Sequence, residues 1–207
     1  MKKIKTSYIF ASFIFLILIF IGCGATTAPK KINAGLSSYF QPERVRTIAI
    51  MPLQNDVGNA KVAEEIIREL TVQILRLDRF EIIDHYKVSA VVAEEELEGI
   101  DLNDTIVKNI GRKLRADAIL LGKVTRYKAG RRKLLILKTA PEIGLSLRMI
   151  SVIEPIPTTI WTVNDSFDGG DSAVQQLVDK PVRGKIQTDI HVLIQVMCQE
   201  IAKTLNF

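Results

Sequence analysis

Hydrophobic positions recur at two spacings from residue 44 onward, and together they predict alternating strands and helices. Val45-Arg46-Thr47-Ile48-Ala49-Ile50-Met51 reads as a largely buried strand stopped by Pro52. The polar stretch Gln54 to Asn59 reads as a loop. Ala63, Ile66, Ile67, Leu70, Ile74 and Leu77 then fall on one face of a helix, with Glu64 and Arg68 paired on the other. Phe80-Glu81-Ile82-Ile83 predicts a short second strand, and Asp84 is placed to cap a helix whose core residues are Val88, Val91 and Val92. That helix ends at Glu94-Glu95-Glu96, and Gly99 breaks the chain. A third helix starts near Asn103 or Asp104 and uses Ile106, Val107, Ile110 and Leu114. The run from Ala118 to Tyr127 predicts a strong third strand, followed by a turn at Gly130-Arg131-Arg132. Leu145, Leu147 and Met149 alternate with Ser146 and Arg148, the mark of a half-buried strand. Pro155 and Pro157 precede a last strand at Thr159 to Val163. Ile186, Ile190, Leu193, Ile194, Met197, Ile201 and Leu205 predict one long C-terminal helix, and Val192 and Val196 widen its apolar surface into a second strip. The order β-α-β-α-α-β-β-β-α implies an α/β (α+β) fold, a mixed β-sheet packed with helices.

The first residues follow a different logic. Lys2, Lys3 and Lys5 precede an uncharged, mainly apolar run from Tyr8 to Gly22. Signal-peptide cores run roughly 7–15 residues, whereas a membrane-spanning helix needs roughly 20, so the run fits the first class better. Phe20-Ile21-Gly22-Cys23 closes it and resembles a bacterial lipobox, in which a small residue precedes a cysteine acylated after cleavage. Phe20 stands where Leu is usual. The expectation is a signal peptide over residues 1–22, a lipidated Cys23 opening a flexible tether over 23–43, and a domain over 44–207. Covalent diacylglycerol and a fatty acyl chain on Cys23 would then anchor the protein to the membrane, two or three chains being enough for firm attachment. Gly24 follows Cys23 where, in lipoproteins of the enteric type, Asp would imply retention in the inner membrane. The inner face of the outer membrane is the expected location.

Processing changes the electrostatic picture. The formal charge of +5 falls to +2 once Lys2, Lys3 and Lys5 are removed. That balance offers no basic stripe for nucleic acid. With Cys23 blocked by lipid, Cys198 has no partner for an internal disulfide and reads as a buried, inert thiol. About 165 residues follow the tether, enough for a single domain with a real core.

Candidate chemistry is sparse. The two histidines, His85 and His191, belong to no metal-binding motif, and neither a Cys-x-x-Cys nor a Gly-x-Ser-x-Gly pattern occurs. The loop from Gln54 lacks a phosphate-binding lysine, and Asp101-Leu102-Asn103-Asp104 lacks the glycine and late glutamate of a calcium loop. The expectation is therefore a protein without catalytic residues, metal or dissociable cofactor. Two charge clusters stand out. Glu94-Glu95-Glu96 sits at a helix C-terminus, where negative charge is unfavourable and invites a basic group. Lys128-Ala129-Gly130-Arg131-Arg132-Lys133 carries four positive charges ahead of Leu134 to Leu137 and could press on an anionic membrane or another subunit. Arg131, Arg132, Lys133, Val192 and Val196 are the candidate partner surface.

Three blocks also resemble the curli secretion (CsgG-type) lipoprotein family and the related activator lipoproteins of penicillin-binding proteins. They are Ile48-Ala49-Ile50-Met51-Pro52-Leu53 with its polar loop, Phe80-Glu81-Ile82-Ile83-Asp84, and Leu114-Arg115-Ala116-Asp117-Ala118-Ile119-Leu120-Leu121-Gly122-Lys123-Val124. The resemblance spans about residues 44–170, the late hairpin matching more loosely, with Glu154-Pro155-Ile156-Pro157 at its turn. It implies a non-catalytic envelope lipoprotein acting as an accessory or assembly component of a secretion system, with envelope proteins or further copies of itself as partners. A regulator of a peptidoglycan synthase is the alternative, and a periplasmic hydrolase is disfavoured for want of a polar triad. Pore-forming relatives insert two membrane hairpins. Lys133 to Lys138 does not alternate, and Asp165 to Lys185 carries Asp168, Asp171, Asp179 and Pro181. Neither resembles a lipid-facing strand, so the pore function is not carried over.

Overall fold

A computed structural model describes residues 27–38, 40–97, 102–132, 138–153 and 156–206. The proposed signal segment, Cys23, Lys133 and the Leu134 to Leu137 run lie outside the described residues. The strands are β1 (Ala34–Leu36), β2 (Thr47–Ile50), β3 (Gln54–Asn55), β4 (Glu81–Ile82), β5 (Ala118–Lys128), β6 (Arg131–Arg132), β7 (Lys138–Thr139), β8 (Glu142–Ser151) and β9 (Thr158–Asp168). The helices are α1 (Ala60–Leu75), α2 (His85–Glu94), α3 (Asp104–Leu114), α4 (Ser172–Gln175), α5 (Lys180–Ile186) and α6 (Ile190–Lys203).

Seven strands form one mixed sheet in the order β1-β9-β8-β5-β2-β4, with β3 also paired to β5. β4, β2, β5 and β3 pair in parallel, while β8, β9 and β1 are added antiparallel. The chain steps from β2 outward to β4 and then back across β2 to β5. Right-handed crossovers taken in opposite directions must place their helices on opposite faces. So α1 lies on one face and α2 with α3 on the other.

Alternation along the strands feeds two cores. Ile48, Ile50, Ala118, Leu120, Leu145, Leu147 and Met149 point toward α1 and α6. Ala49, Met51, Ile119, Leu121 and Ile150 point toward Val88 and Val92 of α2 and Val107 and Ile110 of α3. Trp161 is buried in the larger core, where its indole nitrogen donates to the Thr204 hydroxyl at 3.0 Å. The central strands are held in register by Asp117, whose carboxylate accepts from the backbone N–H of both Arg46 and Thr47 at 2.9 Å.

Several boundaries differ from the sequence reading. Gln54–Asn55 forms β3 after Pro52 rather than a loop, because β5 runs on and offers its edge. The last strand extends through Asp168, with Phe167 buried and Ser166 exposed. The C-terminal apolar stripe is continuous in space, yet the helix is not. Ile186 ends α5, and Asp189 caps α6 by accepting from the His191 N–H at 2.9 Å.

The tether is the largest correction. Part of the span expected to be flexible lies along β9: Ala34 pairs with Val163 and Leu36 with Trp161. Upstream, the Lys30 N–H donates to the Ala173 carbonyl at 3.0 Å, and its ammonium sits 2.7 Å from Asp165 and 5.2 Å from the Phe167 ring centre. The β1 side chains are all exposed, so the segment is bound by backbone pairing and carries no hydrophobic signal.

Candidate interaction surfaces

The helices α2 and α3 connect β4 to β5 and can cover only that half of their sheet face. The other half, on β8 and β9, carries Arg148, Thr162 and Asn164 exposed to solvent, beside a half-buried Ser146. Where the covered and open halves meet, beyond the carboxyl end of β2, a groove of about 1150 Å³ opens. In open α/β sheets ligands gather at this kind of position, where the chain reverses its direction across the sheet. Met51, Leu97, Leu102 and Leu121 make its apolar wall, and Lys123, Arg148, Asn55 and Asn164 supply polar groups.

Gly122 shapes the floor of that groove. A Cβ there would lie 2.4 Å from Cδ2 of Leu147 and 2.7 Å from the Ser146 carbonyl oxygen, so only glycine allows β5 and β8 to close at this point. Lys123 sits 3.4 Å from Asp56, and the Arg148 guanidinium donates to the Leu102 carbonyl at 3.4 Å. Such long, exposed contacts leave both cations able to exchange partners.

Catalytic geometry is limited. Ser89 Oγ and His85 Nε2 are 3.4 Å apart, one turn from each other on α2. Among the described residues no carboxylate hydrogen-bonds the other ring nitrogen of His85, so the pair lacks the orienting group of an activated nucleophile. Among the described residues no three His, Cys, Asp or Glu side chains gather as a metal would require. His191 instead meets Glu65 across the α1–α6 contact, and hydrogen bonding to that carboxylate raises its pKa. Cys198 is fully buried in the larger core, its Sγ 3.9 Å from the Ile66 carbonyl, and burial drives its pKa well up. The buried thiol expected from the sequence is what the structure contains.

The charge clusters resolve differently. Lys113 of α3 reaches the end of α2, where it pairs with Glu95 and, at 3.0 Å, with Glu94. The basic group invited by the acidic helix end is thus supplied within the chain. Its hydrogen bonds to Glu95 first and Glu94 second raise the Lys113 pKa. Arg131 and Arg132 form β6, paired antiparallel with Lys138 and Thr139 of β7 in a hairpin where the sequence suggested a plain turn. The C-terminal strip narrows. Val196 is buried at 5% exposure and Val192 packs partly buried against the same core, so neither forms a free surface. The reason is the width of the core. Helix α6 lies against both the sheet and α1, and two contact directions consume a broader apolar arc than one.

The fold has counterparts among solved bacterial structures. The hypothetical protein CT253 from Chlamydia trachomatis matches with a TM-score of 0.51 at 14% identity, over 78% of this chain and 96% of that one. Lipoprotein GNA1162 from Neisseria meningitidis gives 0.48 at 12% identity, over 76% and 99%. PelC from Paraburkholderia phytofirmans, solved as a dodecamer, gives 0.47 at 11% identity, over 83% and 98%. The first of these likenesses establishes a shared fold. No protein-family model matches the sequence, and no curated protein does. Among the described residues no helix is long and apolar enough to cross a membrane. The three blocks of the curli-type resemblance fall on β2, on the β4–α2 junction and on the α3–β5 junction, the parallel part of the sheet.

Proposed function

We propose that the protein is a non-catalytic envelope lipoprotein, held to the outer membrane by acyl chains on Cys23, that assists assembly or secretion by binding other envelope proteins. The observation that carries this reading is the continuity from lipobox to fold. Thr27 already contacts Ser172, its hydroxyl 3.3 Å from that of the serine, and four peptide steps separate it from Cys23. In sequence, only residues 24–26 then stand between the proposed acylation site and the first contact of the folded domain. The groove beside the open half of the sheet supplies the docking surface, with Lys123 and Arg148 available to an acidic or carbonyl-rich segment. The three sequence blocks favour a curli-like secretion system as the setting.

The test is direct. The full chain is expressed in a Gram-negative host and its N-terminal peptide is analysed by mass spectrometry. The expected species begins at Cys23 with diacylglyceryl and acyl groups, and Cys23→Ala abolishes both acylation and outer-membrane retention. A wild-type protein with unmodified Cys23 refutes the reading. A photo-crosslinker at Ser146 should then trap an envelope protein, whereas one at exposed Tyr86, away from the groove, should not.

A further inference from the structure

The N-terminal segment is attached to the domain by forces unlike those that hold the rest of the fold. From Thr27 to Leu36 no side chain is buried, and only Lys30 and Ile32 are half-covered, Ile32 against the larger core. Removal of apolar surface from water, which holds the other elements, therefore contributes little here. What remains is polar. On either side of β1 the Asn164 N–H donates to the Asn33 carbonyl at 3.2 Å and the Ser37 N–H to the Ile160 carbonyl at 2.9 Å. Further up, the Lys30 N–H donates to Ala173 and Thr27 meets Ser172. Among the described residues no strand pairs with the outer edge of β1, so water reaches the segment from that side.

Asp165 gathers the side-chain bonds to this segment. Its Oδ2 accepts from the Asn33 N–H at 2.9 Å, and its Oδ1 lies 2.7 Å from Nζ of Lys30. The Asn33 amide in turn donates to the Asn164 carbonyl at 3.1 Å, and the Lys30 ammonium also faces the Phe167 ring. Two groups three residues apart in the segment thus converge on one carboxylate of β9. The pair is well covered, the Asp165 side chain being 9% exposed and that of Lys30 19%. Hydrogen bonds with an ionised partner are roughly twice as strong as neutral ones, and cover protects them from screening. Lifting the segment would make β9 the edge of the sheet, where water can replace both partners of Asp165. Opening there leaves no buried charge behind.

We infer that residues 27–37 are a releasable strap, that Asp165 is its latch, and that the latch sets how far the anchored domain reaches from the membrane. The control of reach rests on the lipid anchor proposed above. An extended chain spans at most ~3.3–3.6 Å per residue. With the strap docked, the four steps from Cys23 to Thr27 keep the domain within about 14 Å of the acylated residue. With the strap free, the next hold on the domain is Phe40, partly buried against the larger core, and the 17 steps to it allow at most about 60 Å. Segments with few buried apolar contacts and solvent-exposed backbone bonds open locally while the core stays closed. One molecule can therefore stand close to its anchor or address envelope proteins at a greater depth.

Hydrogen exchange read by mass spectrometry, on the full acylated chain in phosphatidylcholine vesicles, tests the latch. The strap amides from Lys30 to Ser37 should exchange well before those of Leu145 to Met149 in β8. Asp165→Asn should speed the strap amides about tenfold and leave β8 unchanged. Lys30→Met keeps the apolar stem over Phe167 and should speed them by a smaller factor. Reach is read by energy transfer from a dye at Tyr86→Cys, an exposed position, to labelled lipid headgroups. Transfer should be weaker in Asp165→Asn than in the wild type. If Asp165→Asn fails to fold, Lys30→Met carries both measurements. Strap amides that exchange only together with β8, or that ignore both substitutions, overturn the inference and leave the anchor standing. Faster exchange with unchanged energy transfer overturns the control of reach. Absence of acyl groups on Cys23 overturns the anchor and the reach with it, while the exchange rates still judge the latch.

Discussion

The two halves of one sheet face carry opposite chemistry on the same strands. Under α2 and α3, β5 presents Ile119 and Leu121; a few residues further on it presents exposed Lys123. β8 repeats the change in reverse, from Arg148 to buried Ile150 across an irregularity in its pairing with β9. The opposite face of these strands shows no such break: Leu120, Val124, Leu145 and Met149 belong to a single core. An antiparallel addition to a parallel sheet can leave one side solvated, and then its outward residues turn polar. The break at Gly122 therefore marks where the fold stops needing cover and where a partner can begin.

The comparison breaks most violently at its shared floor. Trp161→Ala should cost ~3–5 kcal/mol, because it empties a buried indole site and removes the donor to Thr204. Urea unfolding would read it, and native-state reactivity of Cys198 toward a thiol reagent should rise in parallel, since that thiol is fully enclosed by the same core. Next in size comes a pair on α6. Val196→Lys should cost on the order of 3 kcal/mol by burying a charge, and Val192→Lys about 1 kcal/mol or less. Equal costs at the two positions would show that α6 sits differently on α1.

These residues also show how much of the molecule its sequence discloses. Period and spacing disclose β2, α1, β5 and α6, because each buries a regular apolar stripe. Asp84 and Asn103 are legible as helix caps, and both accept the expected N–H, from Tyr86 at 2.8 Å and Ile106 at 3.0 Å. Features made by backbone or by distant partners leave no such trace. β1 is all exposed side chains paired through main chain, and β3 exists because β5 is long. The break at Asp189 is invisible to hydropathy because Ile186 and Ile190 stay in register with the stripe on both sides of it. The open groove is likewise silent, since Lys123 and Arg148 look like ordinary outward strand residues until the missing helix cover is seen.

Smaller effects sharpen the boundary between the halves. Asp117→Ala should cost ~1–3 kcal/mol, by orphaning the Arg46 and Thr47 N–H groups at the start of β2. Asp117→Asn should recover part of that, through its amide oxygen. On the open half, Arg148→Ser should change stability by no more than about 0.5 kcal/mol, because its one long bond to Leu102 is exposed. A chemical-denaturation midpoint measures both. A large loss at Arg148 would mean that the open face is structural and that the docking surface lies elsewhere.

The smallest effect tests the larger core from outside. His191 at the start of α6 pairs with Glu65 of α1, and its side chain is 70% exposed. Hydrogen bonding to Glu65, then the charges of Glu65 and Asp189, raise its pKa above the ordinary 6.5, and slight burial opposes them. A folded-state value above the unfolded one means the protonated ring is favoured by folding. The stabilisation is therefore complete below about pH 6.5, where both states carry the proton, and is lost as pH rises through the higher folded-state value. Exposure and screening limit the gain to ~0.2–1 kcal/mol. Comparing the wild type with Glu65→Gln isolates it: the wild type should be slightly more stable at about pH 5.5, and the two should converge by about pH 8.5. The same window should appear in an NMR titration of the His191 ring. A gap between wild type and variant that persists unchanged at the higher pH would show that Glu65 stabilises α1 against α6 by packing of its stem, with His191 a bystander.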